Sequence, residues 1–376
     1  MVRMSLYGML WPLIRLLPPE MAHALALRVL ALPLRFGPCI DDPFEWNGLR
    51  CRNRVGIAAG FDKNGLAVAG AERMGAGFLE VGTILVEPWP GNQVFPRVRR
   101  LVRQHAIWNR LGFTSQGLSR VVSRLQRATS ASRRGMALLC NIGPHPGRFR
   151  PTDHPLATVR DELLQLVDRL FPIADAFVVN FSSPNTRGLR SLLQSDELGP
   201  QVLRPIIDRL REHGHATGRH RQTPLLVKLP PEDHDRQPWS RETLRRLICP
   251  LLDAQFCDGF VAVNTSTRLA LQMVHLPPHD LPGGISGAPL RPEAIRVVSH
   301  IRELTGPRAL LIGCGGILHV ADAIEFLHAG ADLVEIYTGM VYRGPRLLSD
   351  CAAAIRDQIR ASADQLGAGR DPSSGE

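Results

Sequence analysis

The sequence lacks the cysteine patterns that mark a disulfide framework or a zinc site. Its seven cysteines are an odd number, and no two of them stand in a Cys-x-x-Cys spacing. Several lie inside apolar runs, as Cys140 and Cys314 do. This pattern is typical of buried free thiols in a reducing compartment, and it predicts no metal site.

The sequence also lacks an apolar run of the length needed to cross a bilayer, which is about 20 residues. The nearest candidate, residues 4–14, ends at Arg15. A secretory signal is disfavoured too, although residues 22–24 have the small-x-small form of a cleavage site. Arg15, Glu20 and the pair Pro18-Pro19 interrupt the apolar stretch that would have to precede it.

A lysine-rich tail and a nucleic-acid-binding motif are missing as well, although the formal net charge is +10 and the pI about 9.9. The excess is mostly arginine, concentrated in residues 97–110 and 120–134 among apolar residues. This distribution favours a solvated arginine-rich face, with an anionic partner surface as the alternative, and no nucleic-acid partner is expected. The 376 residues, 44% of them hydrophobic, suffice for one large domain or two ordinary ones.

What the sequence does contain is eight short, nearly continuous apolar runs separated by spacers long enough for helices. Such runs are typical of strands buried on both faces of a parallel sheet. Eight βα units close into a barrel of about 250 residues, so the predicted fold class is α/β, a (β/α)8 TIM barrel. The predicted strands are residues 55–60, 77–83, 136–142, 176–181, 225–229, 260–265, 309–314 and 333–338.

Outside this repeat, residues 4–36 predict two short apolar helices separated at Pro18-Pro19. Their apolar residues exceed what one buried stripe requires. The helices therefore either pack against the main domain or form a surface for a membrane or a lipophilic ligand. Residues 94–108 predict an inserted hairpin. The tail after about Ala363 is polar and rich in glycine and is predicted to be disordered.

The predicted strands end in polar residues, and in a barrel these ends meet at the catalytic face. Gly315-Gly316 and Gly339, after the last two strands, suit a phosphate group. Ser182-Ser183 has no nearby histidine or aspartate that would complete a hydrolase triad. The remaining polar residues at these ends are three asparagines and two lysines: Lys63, Asn141, Asn180, Lys228 and Asn264.

Lys228 stands inside a predicted buried strand, between Val227 and Leu229. A buried ammonium needs an anionic partner or a lowered pKa. The residue type therefore fits three roles. It could stabilise the anion formed when a flavin is reduced, form a Schiff base as in an aldolase, or make a structural salt bridge.

With these residues the chain resembles the dihydroorotate dehydrogenases, specifically the membrane-associated, quinone-reducing class 2. The resemblance extends from about residue 17 to residue 360. In this family FMN oxidises dihydroorotate to orotate in pyrimidine synthesis, and ubiquinone reoxidises the flavin. The motifs that carry it are, in order, LLPPEMAH, GIAAGFDKNG, VGTILVEPWPGN, FPRVRRL, NRLGF, NFSSPNTRGLR, LLVKLPP, GGISGAPL, IGCGGI and VEIYTG.

The resemblance implies roles for single residues. Ser183 corresponds to the catalytic base, where the soluble class 1 enzymes have cysteine. His23 and Arg100 correspond to positions that line a quinone tunnel. The residues expected to bind FMN are Ala59, Gly60, Lys63, Thr83, Asn141, Asn180, Lys228, Val263, Gly287, Gly316, Tyr337 and Thr338. The residues expected to frame dihydroorotate are Lys63, Asn109, Arg110, Leu111, Gly112, Phe113, Asn180, Asn185, Asn264 and Thr265.

The implied organisation is a helical membrane- and quinone-binding extension at residues 1–38, an FMN-binding barrel at 39–362 and a tail at 363–376. The protein is then expected to be a peripheral membrane protein on the cytoplasmic face of a bacterial inner membrane. Its partners would be dihydroorotate or orotate and a membrane quinone.

Three segments depart from the family pattern. Residues 142–146 (IGPHP) stand where Gly-Lys-Asn usually follows Asn141, Val263 replaces a threonine, and NRLGFTS replaces NRxGFNN. The first two concern the flavin contacts and the third a substrate loop. Three alternatives stay open: another FMN barrel oxidoreductase acting on a pyrimidine or a hydroxy acid, a Schiff-base aldolase, and a non-catalytic binding protein.

Overall fold

Parallel strands close into a barrel in the computed structural model of the chain, which describes residues 6–131, 135–148, 156–186, 188–218, 222–233, 235–275 and 282–368. The strands are β1 (Phe44–Trp46), β2 (Leu49–Cys51), β3 (Val55–Ile57), β4 (Phe78–Ile84), β5 (Val98–Leu101), β6 (Ala106–Asn109), β7 (Ala137–Ile142), β8 (Ala176–Asn180), β9 (Leu225–Leu229), β10 (Gly259–Ala262), β11 (Gly284–Gly287), β12 (Leu310–Cys314) and β13 (Leu333–Ile336). The α-helices are α1 (Leu6–Ile14), α2 (Pro19–Ala31), α3 (Val68–Arg73), α4 (Leu118–Ala131), α5 (Leu156–Leu170), α6 (Arg204–Ala216), α7 (Arg241–Asp253), α8 (Thr267–Met273), α9 (Arg291–Thr305), α10 (Val320–His328), α11 (Thr338–Arg343) and α12 (Arg346–Ala368).

The barrel contains one strand from each of the eight apolar runs. Around it the strands follow the order β3, β4, β7, β8, β9, β10, β12 and β13, and every neighbouring pair is parallel. The predicted (β/α)8 TIM barrel with N-terminal helices is therefore confirmed. The apolar runs predicted it because helices cover the outer face of each strand while the barrel interior covers the inner face.

The lower part of the barrel interior is a layer of apolar side chains, one from nearly every strand. On β3 the position is Gly56, where a Cβ atom would overlap the ring of Phe78 on β4. The short hairpin β1–β2 packs Phe44 and Leu49 against this layer from below. The layer itself consists of Phe78, Leu139, Val178, Leu226, Val261, Ile312 and Leu333.

The two predicted N-terminal helices are present as α1 and α2, separated by residues 15–18. Leu27 and Leu30 of α2 are buried in the same core as the outer face of the barrel strands. Nine large apolar residues of this region are exposed: Met9, Leu10, Leu13, Leu16, Met21, Leu25, Val29, Leu32 and Leu34. The helices therefore pack on the barrel and also present an apolar outer surface. Among the described residues, no helix is long and apolar enough to span a bilayer.

The predicted inserted hairpin is present as the antiparallel pair β5 and β6. The sequence did not predict that β11 pairs antiparallel with β6 and extends this hairpin to a three-stranded sheet. The indole of Trp108 is fully buried there and donates a hydrogen bond to the carbonyl of Pro282 at 2.8 Å. The small sheet lies at the mouth of the barrel and contributes to the cavity described below.

The chain end differs from the prediction at one point. Helix α12 continues to Ala368, whereas the disordered tail was expected from residue 363. Residues 363–366 are Ala, Asp, Gln and Leu, and alanine, glutamine and leucine favour a helix, so the preceding helix can continue through them. The rest of the predicted tail, residues 369–376, lies outside the described residues.

Candidate active site

A cavity opens at the carboxyl ends of the barrel strands, the face at which TIM-barrel enzymes place their chemistry. It has about 1130 Å³ of empty space, its open mouth included, which is ample for a cofactor and a small substrate. Residues from the strand ends and from the small sheet line it. The predicted site residues in its wall are Ala59, Gly60, Lys63, Thr83, Asn109, Leu111, Gly112, Phe113, Asn180, Ser183, Asn185, Lys228, Val263, Asn264, Thr265, Gly287, Gly316, Tyr337 and Thr338.

The floor of this cavity is a polar layer directly above the apolar one. Side chains two residues apart on a strand share a face, so each inward apolar residue is followed two positions later by another inward residue. Phe78 is followed by Glu80, Leu226 by Lys228 and Leu333 by Glu335. This layer consists of six polar residues and one valine: Glu80, Asn141, Asn180, Lys228, Cys314, Glu335 and Val263.

The Lys228 ammonium is held between two carboxyl groups in this layer. Its Nζ lies 2.6 Å from Oε2 of Glu80 and 2.9 Å from Oε1 of Glu335. All three side chains are buried. The sequence interpretation gave neither glutamate a role, although each is an acidic residue inside an apolar run, which is the signal that would have indicated it.

Burial alone would lower the pKa of Lys228, yet the two carboxylates raise it well above its usual value. The opposite balance applies to Glu80, where burial would raise the pKa but Lys228 lowers it. Burial and then the charge of Glu80 raise the pKa of Glu335 to about 8. The two carboxyl groups therefore favour the charged form of Lys228 over the neutral amine that a Schiff base requires.

Amide and hydroxyl groups continue the network from Glu80. Asn141 donates to Glu80 at 2.5 Å and accepts a hydrogen bond from the Thr83 hydroxyl at 2.6 Å. Thr83 in turn accepts from the Asn180 amide at 3.0 Å. Asn141 is fully buried and does not reach the cavity wall. It is placed to orient Thr83 and Glu80, and direct contact with a flavin is not supported by this position.

The two adjacent serines have different surroundings. The Ser182 hydroxyl donates to Asn180 Oδ1 at 3.1 Å and accepts from Asn264 Nδ2 at 2.9 Å, and it is fully buried. Ser183 lines the cavity, and its Oγ accepts a hydrogen bond from the backbone N–H of Asn185 at 3.3 Å. Of the two, Ser183 is the hydroxyl that a bound substrate can reach.

Arg190 links three of the loops that carry these residues. Its guanidinium donates to the carbonyls of Ser182 and Thr265 at 2.9 and 3.1 Å and to the Glu232 carboxylate at 3.0 Å. Glu232 also accepts from the hydroxyl of Ser266 at 2.5 Å. These hydrogen bonds fasten the loops after β8, β9 and β10 to one another.

Several buried polar atoms near the cavity have no hydrogen-bond partner within the described part of the chain. They are Asn185 Oδ1, Thr186 Oγ1 and Thr265 Oγ1. Buried polar groups are normally paired, so these atoms are ready for groups of a bound molecule or for water. A ligand with alternating donors and acceptors suits them.

The opposite end of the cavity is lined by glycines and small residues. Gly315, Gly316, Gly339 and Thr338 come from the loops after β12 and β13. Gly316 has a φ of +82°, and a Cβ atom there would lie 2.6 Å from the Cβ of Arg291. Backbone without side chains permits the close approach of a phosphate group to N–H groups, so this end fits the phosphate of a nucleotide cofactor.

Lys63 and Lys228 are the only lysines in the sequence, and both face the cavity. Lys63 Nζ donates to the Thr114 hydroxyl at 2.8 Å. Thr114 belongs to the segment that departs from the family pattern. Burial, followed by the positive charge of Arg97, lowers the pKa of Lys63 to about 8. Because a pKa of about 8 is still above neutral pH, most of the Lys63 side chains keep their proton there, and the ammonium can bind an anionic ligand.

Arg110, a predicted substrate residue, does not line this cavity, and neither do His23 and Arg100, which were predicted for a quinone tunnel. The Arg110 guanidinium lies 5.1 Å from the centroid of the Trp108 ring and donates to the Pro96 carbonyl at 3.0 Å, so it supports the small sheet. Arg100 on β5 donates to the carbonyl of Leu17, between α1 and α2, at 2.8 Å.

The imidazole ring of His23 on α2 packs against the side of the cavity wall that faces away from the cavity. Its ring lies 5.6 Å from Phe61 and 6.3 Å from Tyr337, measured between ring centroids, and Tyr337 lines the cavity. Burial lowers the pKa of His23 to about 4, so its imidazole is neutral at physiological pH. The aromatic contact joins the N-terminal helices to the cofactor end of the barrel.

Comparison with known proteins identifies this arrangement. The family model described as dihydroorotate dehydrogenase matches residues 44–359. The chain belongs to the dihydroorotate dehydrogenase family. It is 39% identical to the dihydroorotate dehydrogenase (quinone) of Leptothrix cholodnii, over 93% of this chain and 98% of that protein. It is 37% identical to the protein of the same name from Delftia acidovorans, over 93% and 97%.

A solved structure shows the same family. The crystal structure of the dihydroorotate dehydrogenase of Eimeria tenella in complex with ferulenol superimposes with a TM-score of 0.76 at 32% identity. The match covers 93% of this chain and 92% of that one. Membership of this family makes the chain an oxidoreductase and a flavoprotein.

Two departures from the dihydroorotate dehydrogenase pattern have different positions. Val263 lines the cavity and removes a hydroxyl from its wall. The His145 ring packs against Trp89 at 5.1 Å, and its backbone N–H donates to Glu162 at 2.8 Å. His145 does not line the cavity. The unusual segment 142–146 therefore stabilises a loop, while Val263 changes the site itself.

We predict that Lys228→Met destabilises the protein by about 3–5 kcal/mol, because it leaves Glu80 and Glu335 buried without their cation. Urea denaturation at neutral pH measures the free energy of unfolding. Lys63→Met is the matched control. Lys63 contacts the neutral Thr114, so its replacement leaves no buried charge without a partner. The decrease in the free energy of unfolding is therefore expected to be far smaller. Equal losses in the two variants would contradict the role given to the Lys228 ion pairs.

Proposed function

We propose that the chain is a quinone-dependent dihydroorotate dehydrogenase that binds FMN, oxidises dihydroorotate to orotate in pyrimidine biosynthesis, and passes the electrons to a membrane quinone. The observation that carries this proposal is the cavity itself. It brings the hydroxyl of Ser183, the ammonium of Lys228 and a glycine-lined phosphate end to one face of the barrel. A Schiff-base aldolase needs a neutral lysine, and Lys228 is held as a cation by Glu80 and Glu335.

The residues present fit FMN. Gly316, Gly287 and Thr338 suit its phosphate end, and Lys228 suits the negative charge that reduction adds. Bound FMN supplies a two-electron acceptor that takes a hydride from the substrate. Further FMN contacts are assigned to Ala59, Gly60, Lys63, Thr83, Asn180, Val263 and Tyr337, which line the cavity. Asn141 does not line the cavity and is assigned an indirect role, the orientation of Thr83 through a hydrogen bond.

Ser183 is assigned the removal of the C5 proton of dihydroorotate. An isolated serine is a weak base, so the proton needs an onward path. The unpartnered Thr186 hydroxyl, three residues beyond Ser183 in the same loop, suits a relay through water. Lys63 suits the substrate carboxylate. The remaining substrate contacts are assigned to Asn109, Leu111, Gly112, Phe113, Asn180, Asn185, Asn264 and Thr265.

The extension at residues 1–38 is assigned to quinone and membrane binding. Its exposed apolar residues suit a lipid surface, and the protein is then peripheral on the cytoplasmic face of a bacterial inner membrane. His23 contacts Phe61 and Tyr337 behind the cavity, so a quinone held near His23 would be close to the cofactor end. Arg100 is hydrogen-bonded between the two helices and suits the quinone entrance.

The visible spectrum of the purified protein tests this function. We expect a yellow protein with noncovalent FMN that is bleached by dihydroorotate under anaerobic conditions without any nicotinamide. Addition of a quinone should restore the colour. A colourless protein that gains no visible absorbance on reconstitution with FMN would refute the redox assignment.

Ser183→Ala is expected to keep FMN and bind orotate while its flavin is reduced about 10²–10⁴ times more slowly, because the general base is lost. Anaerobic stopped-flow absorbance measures this step. Ser182→Ala is the control. Its hydroxyl faces Asn180 and Asn264 and not the cavity, so the reduction rate should fall much less. Similar rates in the two variants would contradict the choice between the serines.

Met21→Glu together with Leu25→Glu should weaken vesicle binding and long-chain quinone turnover, because charge on the exposed face of α2 opposes lipid contact. Reduction of the flavin by dihydroorotate should be unchanged. Leu271→Glu, an equally exposed apolar position on α8, is the control. Vesicle co-sedimentation and turnover with long- and short-chain quinones measure the effect. An equal loss of vesicle binding and quinone turnover in the α8 variant would contradict a specific role of α2 in quinone binding.

A further inference from the structure

The cavity floor holds two carboxyl groups and a single cation. Lys228 contributes one positive charge, and Glu80 and Glu335 could contribute two negative ones. All three side chains are inaccessible to solvent or nearly so. An uncompensated charge in such a site is strongly disfavoured, and a buried group usually avoids it by changing its protonation state.

The two carboxyl groups are not equivalent, because they receive different numbers of hydrogen bonds. Glu80 accepts from Lys228 at 2.6 Å, from the Asn141 amide at 2.5 Å and from the backbone N–H of Ala59 at 3.2 Å. Glu335 accepts a strong hydrogen bond only from Lys228, at 2.9 Å, and its other neighbours within hydrogen-bonding reach are the Glu80 carboxyl and the Cys314 thiol. Its Oε2 atom is buried and has no partner in the described part of the chain. Donors stabilise an ionised carboxylate, so Glu80 is the ionised group.

We propose that Glu335 carries a proton at neutral pH and is the proton reservoir of the cavity floor. At a pH high enough to ionise Glu335, its carboxylate takes up one proton from solvent when negative charge is added beside Lys228. This inference rests on the proposed function, because the added charge is the one that a flavin gains on reduction. The low number of donors to Glu335 and its raised pKa both support it.

Few other titratable groups face Glu335. Glu80 comes from β4, Lys228 from β9 and the Cys314 thiol from the neighbouring β12. Burial raises the pKa of the Cys314 thiol well above its usual value, so the thiol stays neutral. Strands β3 and β10 have no titratable side chain, and β7 and β8 contribute the neutral Asn141 and Asn180 to this layer. Of the groups in this layer, Glu335 is therefore the one expected to change charge between pH 7 and 9. Lys63, whose pKa is also about 8, lines the cavity wall and is the same in the wild type and in a Glu335 variant.

The proton balance of the first half-reaction follows from this assignment. Dihydroorotate loses a hydride, which takes both electrons to the flavin, and a proton, which leaves through Ser183 to solvent. With Glu335 already protonated, one proton is released for each flavin reduced. With Glu335 ionised, a solvent proton binds its carboxylate during reduction, and the net release falls towards zero.

Proton release is measurable with the holoenzyme. The protein is reduced anaerobically with dihydroorotate in weak buffer, while an indicator dye and the flavin absorbance are recorded together. The wild type should release about one proton per flavin at pH 7 and clearly less at pH 9. Glu335→Gln keeps a neutral side chain of the same shape at every pH, so it should release about one proton at both.

A second variant tests whether the bound proton requires both carboxyl groups. In Glu80→Gln, Glu335 becomes the only carboxylate partner of Lys228 and stays ionised through this pH range. The pH dependence of proton release should then disappear as well. If the wild type released the same number of protons at pH 7 and pH 9 as Glu335→Gln, Glu335 would not be the reservoir.

An equilibrium measurement separates this inference from the proposed function. Between the unfolded pKa of 4.5 and the folded pKa of about 8, folded Glu335 holds a proton that the unfolded chain lacks. The free energy of unfolding of the wild type should therefore fall with rising pH across this window, relative to Glu335→Gln. Parallel stability profiles would refute the proton on Glu335. Failure of dihydroorotate to bleach the flavin would refute the proposed function and leave this comparison intact.

Discussion

The buried ammonium of Lys228 is the constraint on which the centre of this barrel depends. It has a carboxyl group on either side, Glu80 and Glu335, and the ionised Glu80 is acceptable in the interior only while the ammonium is present. Glu80 also accepts from Asn141, which orients Thr83 and through it Asn180. One cation thus holds together side chains from four or more strands and leaves a positive centre under the cofactor end of the cavity.

The loops above this layer are held by a second charged side chain. Arg190 binds two carbonyls and a buried carboxylate on three loops, so it acts as a rigid, multidentate donor. Arginine and lysine have different roles in this protein, and the difference follows from their chemistry. The many arginines make planar, multiple contacts, while the two lysines serve as compact point charges in the cavity, where their pKa values respond to their surroundings.

Much of the site could be predicted from the sequence, because polar residues at strand ends converge whenever eight strands close. The sequence could not give the direction in which a side chain points. Arg110 stands next to residues that line the cavity but turns to the Trp108 ring, and the Asn141 side chain is fully buried in the layer that forms the cavity floor. Glu80 and Glu335 were overlooked, although both stand two residues beyond an inward apolar residue. Counting that two-residue period along each run would have placed them beside Lys228.

The sequence by itself determined the strand number, the barrel, the two N-terminal helices and the family, since these follow from periodicity and from motifs in a fixed order. Only the tertiary structure decided which of the adjacent serines faces the cavity and which carboxyl groups surround Lys228. It also showed that α2 packs Leu27 and Leu30 into the barrel core while exposing its other apolar face. The physical reason is distance along the chain. Glu80, Lys228 and Glu335 are separated by more than a hundred residues each, and only barrel closure makes them neighbours.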